Sequence, residues 1–406
     1  MSIDGAITEI AFNNPYKFNS EIEEKLKTDT QPWKRQTASL SYQKKGAFKE
    51  ILELFDLESG KQTTTPLTAK QIDSIKSKYT PHDARTFIIE QAKSRQVVII
   101  NEAHHNPGHR TFTRSLLKEL YESGYRYLGL EALYNGPKGG TPIGSNGNHI
   151  KDEKDTLLNT RRYPIFESGN YLEPQMGNLI RVAMEIGFTV FSYEKTGVGG
   201  GNPRELGQAK NIEQILEKEP NAKILIHCGY AHAYEGVDVY EPGGKAMAGW
   251  LSELTGIDPL TINQATYSEG YSDPEFNNPL LNALSLNEPK VLLDKNGKPM
   301  RFVKRNMHTD IAVIHPKIKY VNDRPFWLFA YDNEDVIIDI SGLDISFPVM
   351  VFAYRPEEDI SNAVPVDMAE VNNLETLPHL SLTEGAFTII VAPKDGTAQK
   401  FDISVK

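Results

Sequence analysis

A chain of 406 residues with 44 Lys and Arg against 54 Asp and Glu carries a formal charge of −10. That balance disfavours nucleic acid or an anionic membrane as the principal partner, because both are held chiefly by basic surface. The single cysteine, Cys228, excludes an intramolecular disulfide and follows an apolar run, as a small buried hydrophobe does.

No apolar run approaches the ~20 residues of a membrane-spanning helix, so no membrane span is expected. Met1-Ser2-Ile3-Asp4-Gly5 lacks the basic region and apolar core of a signal peptide. The chain is therefore expected to be soluble, either cytoplasmic or exported with its leader removed. At ~100–200 residues per domain the length suits two or three units.

Residues 1–85 start polar and then space Tyr42, Phe48, Ile51, Leu52 and Phe55 amphipathically, ahead of the linker Gln62-Thr63-Thr64-Thr65-Pro66. This predicts an N-terminal helical extension packed on the next domain. From 86 to 270, five short apolar runs each end in polar, chemically capable residues. Gln96 to Ile100 runs into Asn101-Glu102-Ala103-His104-His105, and Tyr125 to Leu130 runs into Glu131. Phe188 to Ser192 runs into Tyr193-Glu194, Lys223 to Ile226 into His227-Cys228-Gly229-Tyr230-Ala231-His232, and Pro259 to Ile262 into Asn263-Gln264. Loops and helical patterns follow the first four, which predicts an α/β fold with a parallel or mostly parallel sheet flanked by helices. Sites in such sheets lie outside the carboxyl ends of the strands, where these carboxylates and imidazoles would converge.

Glu102, His104, His105 and His109 share one loop before the helix of Thr111 to Ser123. Imidazoles there suit metal binding or proton transfer, although His105 and His109 taken singly fit loop or cap roles better. Glu131 leaves its strand where a carboxylate can orient or ligate beside His104. His232 follows Gly229, whose freedom would let the chain turn sharply off the sheet, whereas His227 lies inside the strand as a satisfied core histidine.

At Gly201-Asn202-Pro203-Arg204-Glu205 a helix begins, with Asn202 as expected N-cap and Glu205 as a capping-box carboxylate. Arg204 sits unfavourably at a positive helix end and needs another partner. Arg204, Gln208 and Asn211 share one helix face that would look into the site. The loop from Leu133 to about Tyr171 is long, glycine-rich around Gly136 to Gly147, and expected to cover the site. From 271 to 406 the pattern changes to aromatic and β-branched runs: Phe326 to Tyr331, Val336 to Ile340, Phe347 to Tyr354, Phe387 to Val391 and Phe401 to Val405. These predict a C-terminal antiparallel β region, with a tight turn at Asp395-Gly396, that supplies no site residue.

There is no G-x-S-x-G elbow, no H-E-x-x-H helix and no Walker phosphate loop. What remains is a histidine and glutamate site. The order Asn101-Glu102-Ala103-His104, Leu130-Glu131, Arg204-Glu205 with Gln208-Ala209 and Asn211, then Gly229-Tyr230-Ala231-His232 resembles the superfamily that joins erythromycin esterases, ChaN-like haem-binding proteins and the TIKI and TraB families. The resemblance covers roughly residues 86–270, with Asn101 standing where the family usually has glycine.

It implies a hydrolase acting on an ester or amide of a small-molecule or peptide substrate, with Glu102, His104, Glu131, Arg204 and His232 in its site. In one mechanism His104, Glu131 and His232 hold a divalent metal such as Zn or Mn that activates water. In the other a histidine is the general base, a carboxylate fixes its tautomer and Arg204 steadies the oxyanion. The resemblance equally implies haem or iron binding as an alternative, for which Tyr193, Tyr230 and Tyr234 lie close by. A noncatalytic binding protein on the same fold is the third reading. The sequence carries no signal for oligomeric state.

Overall fold

A computed structural model of the protein describes residues 4–57, 61–133, 158–168, 172–195 and 199–406. The segment expected to cover the site falls largely at 134–157 and 169–171, outside the described residues.

The chain begins with strand β1 (Asp4–Ile10) and helices α1 (Asn19–Thr28), α2 (Lys34–Lys44), α3 (Phe48–Asp56) and α4 (Ala69–Lys78). An α/β layer follows: β2 (Tyr79–Asp83), α5 (Ala84–Ala92), β3 (Val97–Glu102), α6 (Gly108–Glu122), β4 (Tyr125–Leu130), α7 (Pro174–Ile186), β5 (Thr189–Ser192), α8 (Asn202–Lys218), β6 (Lys223–Gly229), α9 (Met247–Thr255) and β7 (Leu260–Asn263). Strands β8 (Lys290–Asp294) and β9 (Ile311–Ile314) then return to the same sheet. Its eight strands run in the order β2-β8-β9-β7-β3-β6-β4-β5. From β9 to β5 all neighbours are parallel, and only β8 pairs antiparallel with β9 and β2.

Val97-Val98-Ile99-Ile100 is apolar at every position because both faces of the sheet are covered. Val98 and Ile100 pack in one core with Phe112, Leu116 and Leu120 of α6 and Leu179 of α7. Val97 and Ile99 pack in another with Ile212 of α8 and Leu251 of α9. Each such buried aliphatic contributes about 1.5–3 kcal/mol, which pins the register of the strands whose ends carry the polar residues.

The sheet therefore overruns both expected bounds of its domain, 86 and 270. Tyr79–Asp83 and the strands after 271 complete it. Those last two strands are five and four residues long, too short for their periodicity to separate them from the β region beyond.

That region holds β10 (Glu334–Ile337), β11 (Val349–Tyr354), β12 (Asp367–Val371), β13 (His379–Leu382), β14 (Gly385–Pro393) and β15 (Ala398–Val405). An antiparallel sheet runs β1-β15-β14-β11-β12, and β10 pairs with β13. Phe326 to Tyr331 is not a strand. Phe326–Phe329 forms a 3-10 turn with Phe326 outside and Leu328 buried, and Tyr331 and Asp332 follow with positive φ. The N-terminal helices pack Ile22, Ala38, Tyr42, Ile51 and Leu54 among themselves. They are tied to the β region by the buried pair of Lys45 and Glu370 at 2.5 Å. Glu370 also accepts a hydrogen bond from the Asn19 backbone at 2.9 Å.

Candidate active site

Outside the carboxyl ends of β3, β4, β5 and β6 the chain gathers Glu102, His104, Glu131, Glu194, Arg204, Glu205 and His232. The five residues named from sequence lie in this one cluster.

Glu102 ends β3 and is buried. Its Oε2 accepts from Arg110 Nε at 2.6 Å and from His227 Nε2 at 2.8 Å, and its Oε1 accepts from Arg110 Nη2 at 2.7 Å and His104 Nδ1 at 2.8 Å. Burial alone would push this carboxyl up, but Arg110 and His227 outweigh it and hold it well below the usual carboxylate range. An ionised carboxylate only accepts, so His104 Nδ1 must carry the proton. Nε2 is thereby left as the basic nitrogen.

Arg110 is fully buried on α6 and is shared with Glu173, whose Oε1 takes Nη1 at 2.9 Å. Glu173 in turn caps α7, accepting from the Gln175 and Met176 backbone at 2.7 Å each.

The imidazole of His104 lies against Gly229. A Cβ at that position would fall 2.5 Å from His104 Nε2 and 3.1 Å from Glu131 Oε2. Gly229 has φ −80°, so it is required for space and not for conformation. The sharp turn expected of Gly229 is taken instead by Tyr230, with φ +40°. A non-glycine residue there is strained, and such strain concentrates at functional sites. The Tyr230 ring stands edge-on to His104 at 5.1 Å, and its backbone carbonyl accepts from Asn101 Nδ2 at 2.7 Å. Asn101 Oδ1 accepts from the Gln264 backbone at 2.9 Å. The residue that stands in place of the family glycine thus ties three strand exits together.

Glu131 accepts from the Gly229 backbone at 2.5 Å through Oε2, and from Arg204 Nη2 at 2.6 Å through Oε1. His232 Nε2 is 3.2 Å from the same Oε1, and its Nδ1 is 2.7 Å from Glu205 Oε2. Arg204 Nη1 also lies 3.0 Å from His232 Nε2. Burial disfavours the imidazolium, but Glu131 and Glu205 on either side overcome it and push the His232 pKa up to about 10. We therefore assign His232 as the imidazolium, with Nε2–H directed to Glu131; a guanidinium cannot accept, so the Arg204 Nη1 approach is then a contact of two donors and not a hydrogen bond. Glu131 is correspondingly held below the carboxylate range, His232 and Arg204 offsetting its burial.

Arg204 meets the need for a partner inferred from its helix position. It grips Glu194 through Nε at 2.9 Å and Nη2 at 2.5 Å. Gln208 Nε2 donates to Glu194 Oε2 at 3.0 Å, and Asn211 Nδ2 to the Tyr193 carbonyl at 2.9 Å. The face of α8 anticipated at Arg204, Gln208 and Asn211 thus looks onto the exit of β5.

Glu205 is not a capping-box residue. Gly201 is the N-cap, and Glu205 Oε2 is used by His232 and by the Met247 backbone at 2.8 Å. Asn202, expected as the cap, accepts from Trp250 Nε1 at 3.1 Å.

The remaining histidines hold the loop. His109 Nδ1 accepts from the Ala103 backbone at 3.0 Å, and its Nε2 is 2.9 Å from Ser268 Oγ. His105 stacks on Phe55 at 4.1 Å, and burial pushes its pKa down to about 4. From the N-terminal helices Gln43 Nε2 donates to the His104 carbonyl, a contribution that a helical extension did not announce.

Sequence comparison adds nothing to this chain: no family model matches it and no curated protein does. Among solved structures it is similar to the type III effector HopBA1 at 10% identity and TM-score 0.34, over 59% of this chain and 98% of that one. It is also similar to RRSP, a MARTX toxin effector domain from Vibrio vulnificus CMCP6, at 14% identity and TM-score 0.29, over 61% of this chain and 45% of that one. A third likeness, to a structure described as bacterial protein toxins, has 15% identity and TM-score 0.30 over 48% of this chain and 39% of that one. At these scores the likenesses carry no argument about chemistry.

The expected metal set of His104, Glu131 and His232 does not fit an ion as arranged. The Arg204 guanidinium reaches both Glu131 Oε1 and His232 Nε2, filling the place where a cation would join them. Among the described residues no three His, Cys, Asp or Glu side chains are grouped to hold a metal ion. Of the tyrosines expected near a haem, Tyr193 is buried with its hydroxyl donating to the His227 carbonyl at 3.1 Å and Tyr234 stacks on Phe302 at 4.8 Å, whereas Tyr230 is exposed beside His104 with its hydroxyl 3.1 Å from His105 Nδ1. Among the described residues no helix is long and apolar enough to cross a membrane.

Proposed function

We propose that the protein is a hydrolase that cleaves an ester or amide by general base catalysis at His104. The observation that carries the reading is the pairing of Glu102 with His104 Nδ1 at 2.8 Å, with that carboxylate fixed on its other side by Arg110. A buried ionised carboxylate that holds one imidazole nitrogen protonated, on a side chain 22% exposed, supports a general-base role for that histidine. The resemblance of the motif residues to the erythromycin esterase, ChaN and TIKI/TraB superfamily supports the same reading.

Exposure supports one order of contact. The side chains of His104 and Arg204 are 22% and 29% exposed, whereas Glu131 and His232 are 9% and 7%. Substrate meets the first two, and the second two hold them.

In the proposed reaction His104 Nε2 takes a proton from water as the water oxygen bonds to the carbonyl carbon. The carbonyl oxygen becomes an oxyanion facing Arg204, whose charge is fixed in place by Glu194 and Glu131 and needs no reorganisation. The imidazolium of His104, stabilised by Glu102, then returns its proton to the departing alcohol or amine oxygen or nitrogen as the carbon–heteroatom bond breaks. Arg110 and His227 keep Glu102 ionised throughout.

The test is hydrolysis of a panel of p-nitrophenyl esters and fluorogenic peptide amides by wild type and His104→Ala, with and without EDTA. The expected result is a rate that falls at least ~100-fold with His104→Ala and does not respond to the chelator. Chelator-sensitive hydrolysis would transfer the reading to the metal mechanism. A Soret band on adding haem, with no hydrolysis of any panel member, would replace it with haem binding.

A further inference from the structure

Tyr230 stands at the site with no task in the chemistry derived above. It follows Gly229, whose missing side chain leaves room for the Nε2 edge of His104. Its own ring lies edge-on to that imidazole, with centroids 5.1 Å apart. Local stability argues against a tyrosine at this position. A φ of +40° suits glycine or asparagine better, and a residue left 43% exposed gains little from burial.

The residue is nevertheless fixed at both ends. Asn101 Nδ2 donates to its backbone carbonyl at 2.7 Å, and its hydroxyl lies 3.1 Å from Nδ1 of His105, itself buried against Phe55. An exposed ring already held in place beside a general base is a preorganised contact surface, with little freedom left to lose on binding. Sheet order tells which part of a substrate meets it. The strands run β3-β6-β4-β5. His104 and His105, which border Tyr230, follow β3, whereas Glu194, which grips Arg204, follows β5. In the proposed reaction the oxyanion faces Arg204 and the departing atom takes its proton from His104 Nε2. The departing group therefore extends along the β3 side, where Tyr230 stands.

We propose that Tyr230 sets the leaving-group specificity of the site, favouring esters or amides whose departing alcohol or amine carries an aromatic ring. The inference rests on the general-base reading of His104. The departing ring packs offset or edge-on against the Tyr230 ring and gains from that contact over a short alkyl group.

The test places two leaving groups on one acyl group, that of the best substrate in the ester and amide panel. These are 2-phenylethanol and ethanol, or the corresponding amines, similar enough in acidity to leave the chemical step alike. Wild type should favour the phenylethyl member at least ~10-fold in kcat/KM, chiefly through KM. Tyr230→Asn, which suits the backbone and removes the ring, should bring the ratio to within about twofold of unity. Tyr230→Phe, which keeps the ring and drops the tie to His105, should retain at least about half of it. The ratio cancels any disturbance of His104 that both substrates feel. Equal rates on the two substrates in wild type, a ratio unchanged in Tyr230→Asn, or a ratio lost as fully in Tyr230→Phe would each overturn the proposal. If Tyr230→Asn does not fold, Tyr230→Gly, free at this φ, decides by the same ratio. His104→Ala separates two kinds of failure. A His104-dependent rate with no leaving-group preference removes the role of Tyr230 alone. A rate untouched by His104→Ala, or no hydrolysis at all, removes the general-base reading and this proposal with it.

Discussion

Replacing Gly229 by alanine tests the catalytic geometry through a single methyl group. The new Cβ would lie 2.3 Å from His104 Cε1 and 2.5 Å from its Nε2, against an ordinary contact of about 3.4 Å or more. The imidazole must therefore retreat by about 1 Å, and its 2.8 Å bond to Glu102 must lengthen or tilt. At φ −80° and ψ 142° the backbone accepts alanine without strain. The lower entropy of the unfolded chain favours the variant by about 0.4–1 kcal/mol, while overpacking costs about 1–3 kcal/mol. The net loss of stability is then about 1–2 kcal/mol, read by urea denaturation. Misplacement of a reacting group by about 1 Å costs on the order of 100-fold in rate, read as kcat/KM on the best ester or amide substrate. A Gly229→Ala enzyme that keeps its rate within about threefold of wild type refutes the placement of His104 Nε2 in the reaction.

Arg204→Ala leaves Glu131 and Glu194 without their shared cation, so it should cost about 2–4 kcal/mol in denaturation as well as rate, more than the helix-end term alone suggests. Arg204→Lys should recover little, since one ammonium cannot reproduce the grip on Glu194; full rescue would mean that charge alone matters. Arg110→Met should cost about 3–5 kcal/mol by stranding Glu102 and Glu173, and an unchanged midpoint would contradict their pairing. His232, with its pKa raised to about 10, contributes stability that is full below its unfolded value near 6.5 and lost as pH rises through about 10. The stability gap between wild type and His232→Gln should therefore be widest near pH 6 and close by about pH 10.5. A gap that widens with pH would show that His232 is neutral when folded.

The strand exits were legible because covering both faces of a sheet leaves continuous apolar runs, and a run that stops at Glu102, Glu131 or Glu194 marks its own end. The partners of those residues were not legible. Arg110 sits on a helix where an arginine reads as solvent-facing, and only the fold shows it between two buried carboxylates. Glu205 satisfied a local capping rule so well that its role at His232 was hidden. Gly229 was recognised for its freedom, when its missing side chain is what His104 requires. Gln43 lies 61 positions before the residue it contacts, a separation that no local pattern encodes.

The first and last described strands, β1 and β15, pair with each other, Thr8 opposite Lys400 and Ile10 opposite Ala398. Between them, Lys45 of the N-terminal helices waits for Glu370. Growing from its amino end, the chain exposes residues 4–56 early; they meet the His104 loop through Gln43 and Phe55, yet another part of their docking surface is made more than 300 residues later. Domains close in the order their parts emerge, so the parallel sheet can form while the helix that carries Gln43 is still unplaced. The helices that support the His104 loop through Gln43 are thus also anchored on the β region. Support of the site thus reaches to the far end of the chain, and a cut within 349–405 should loosen the helices beside His104.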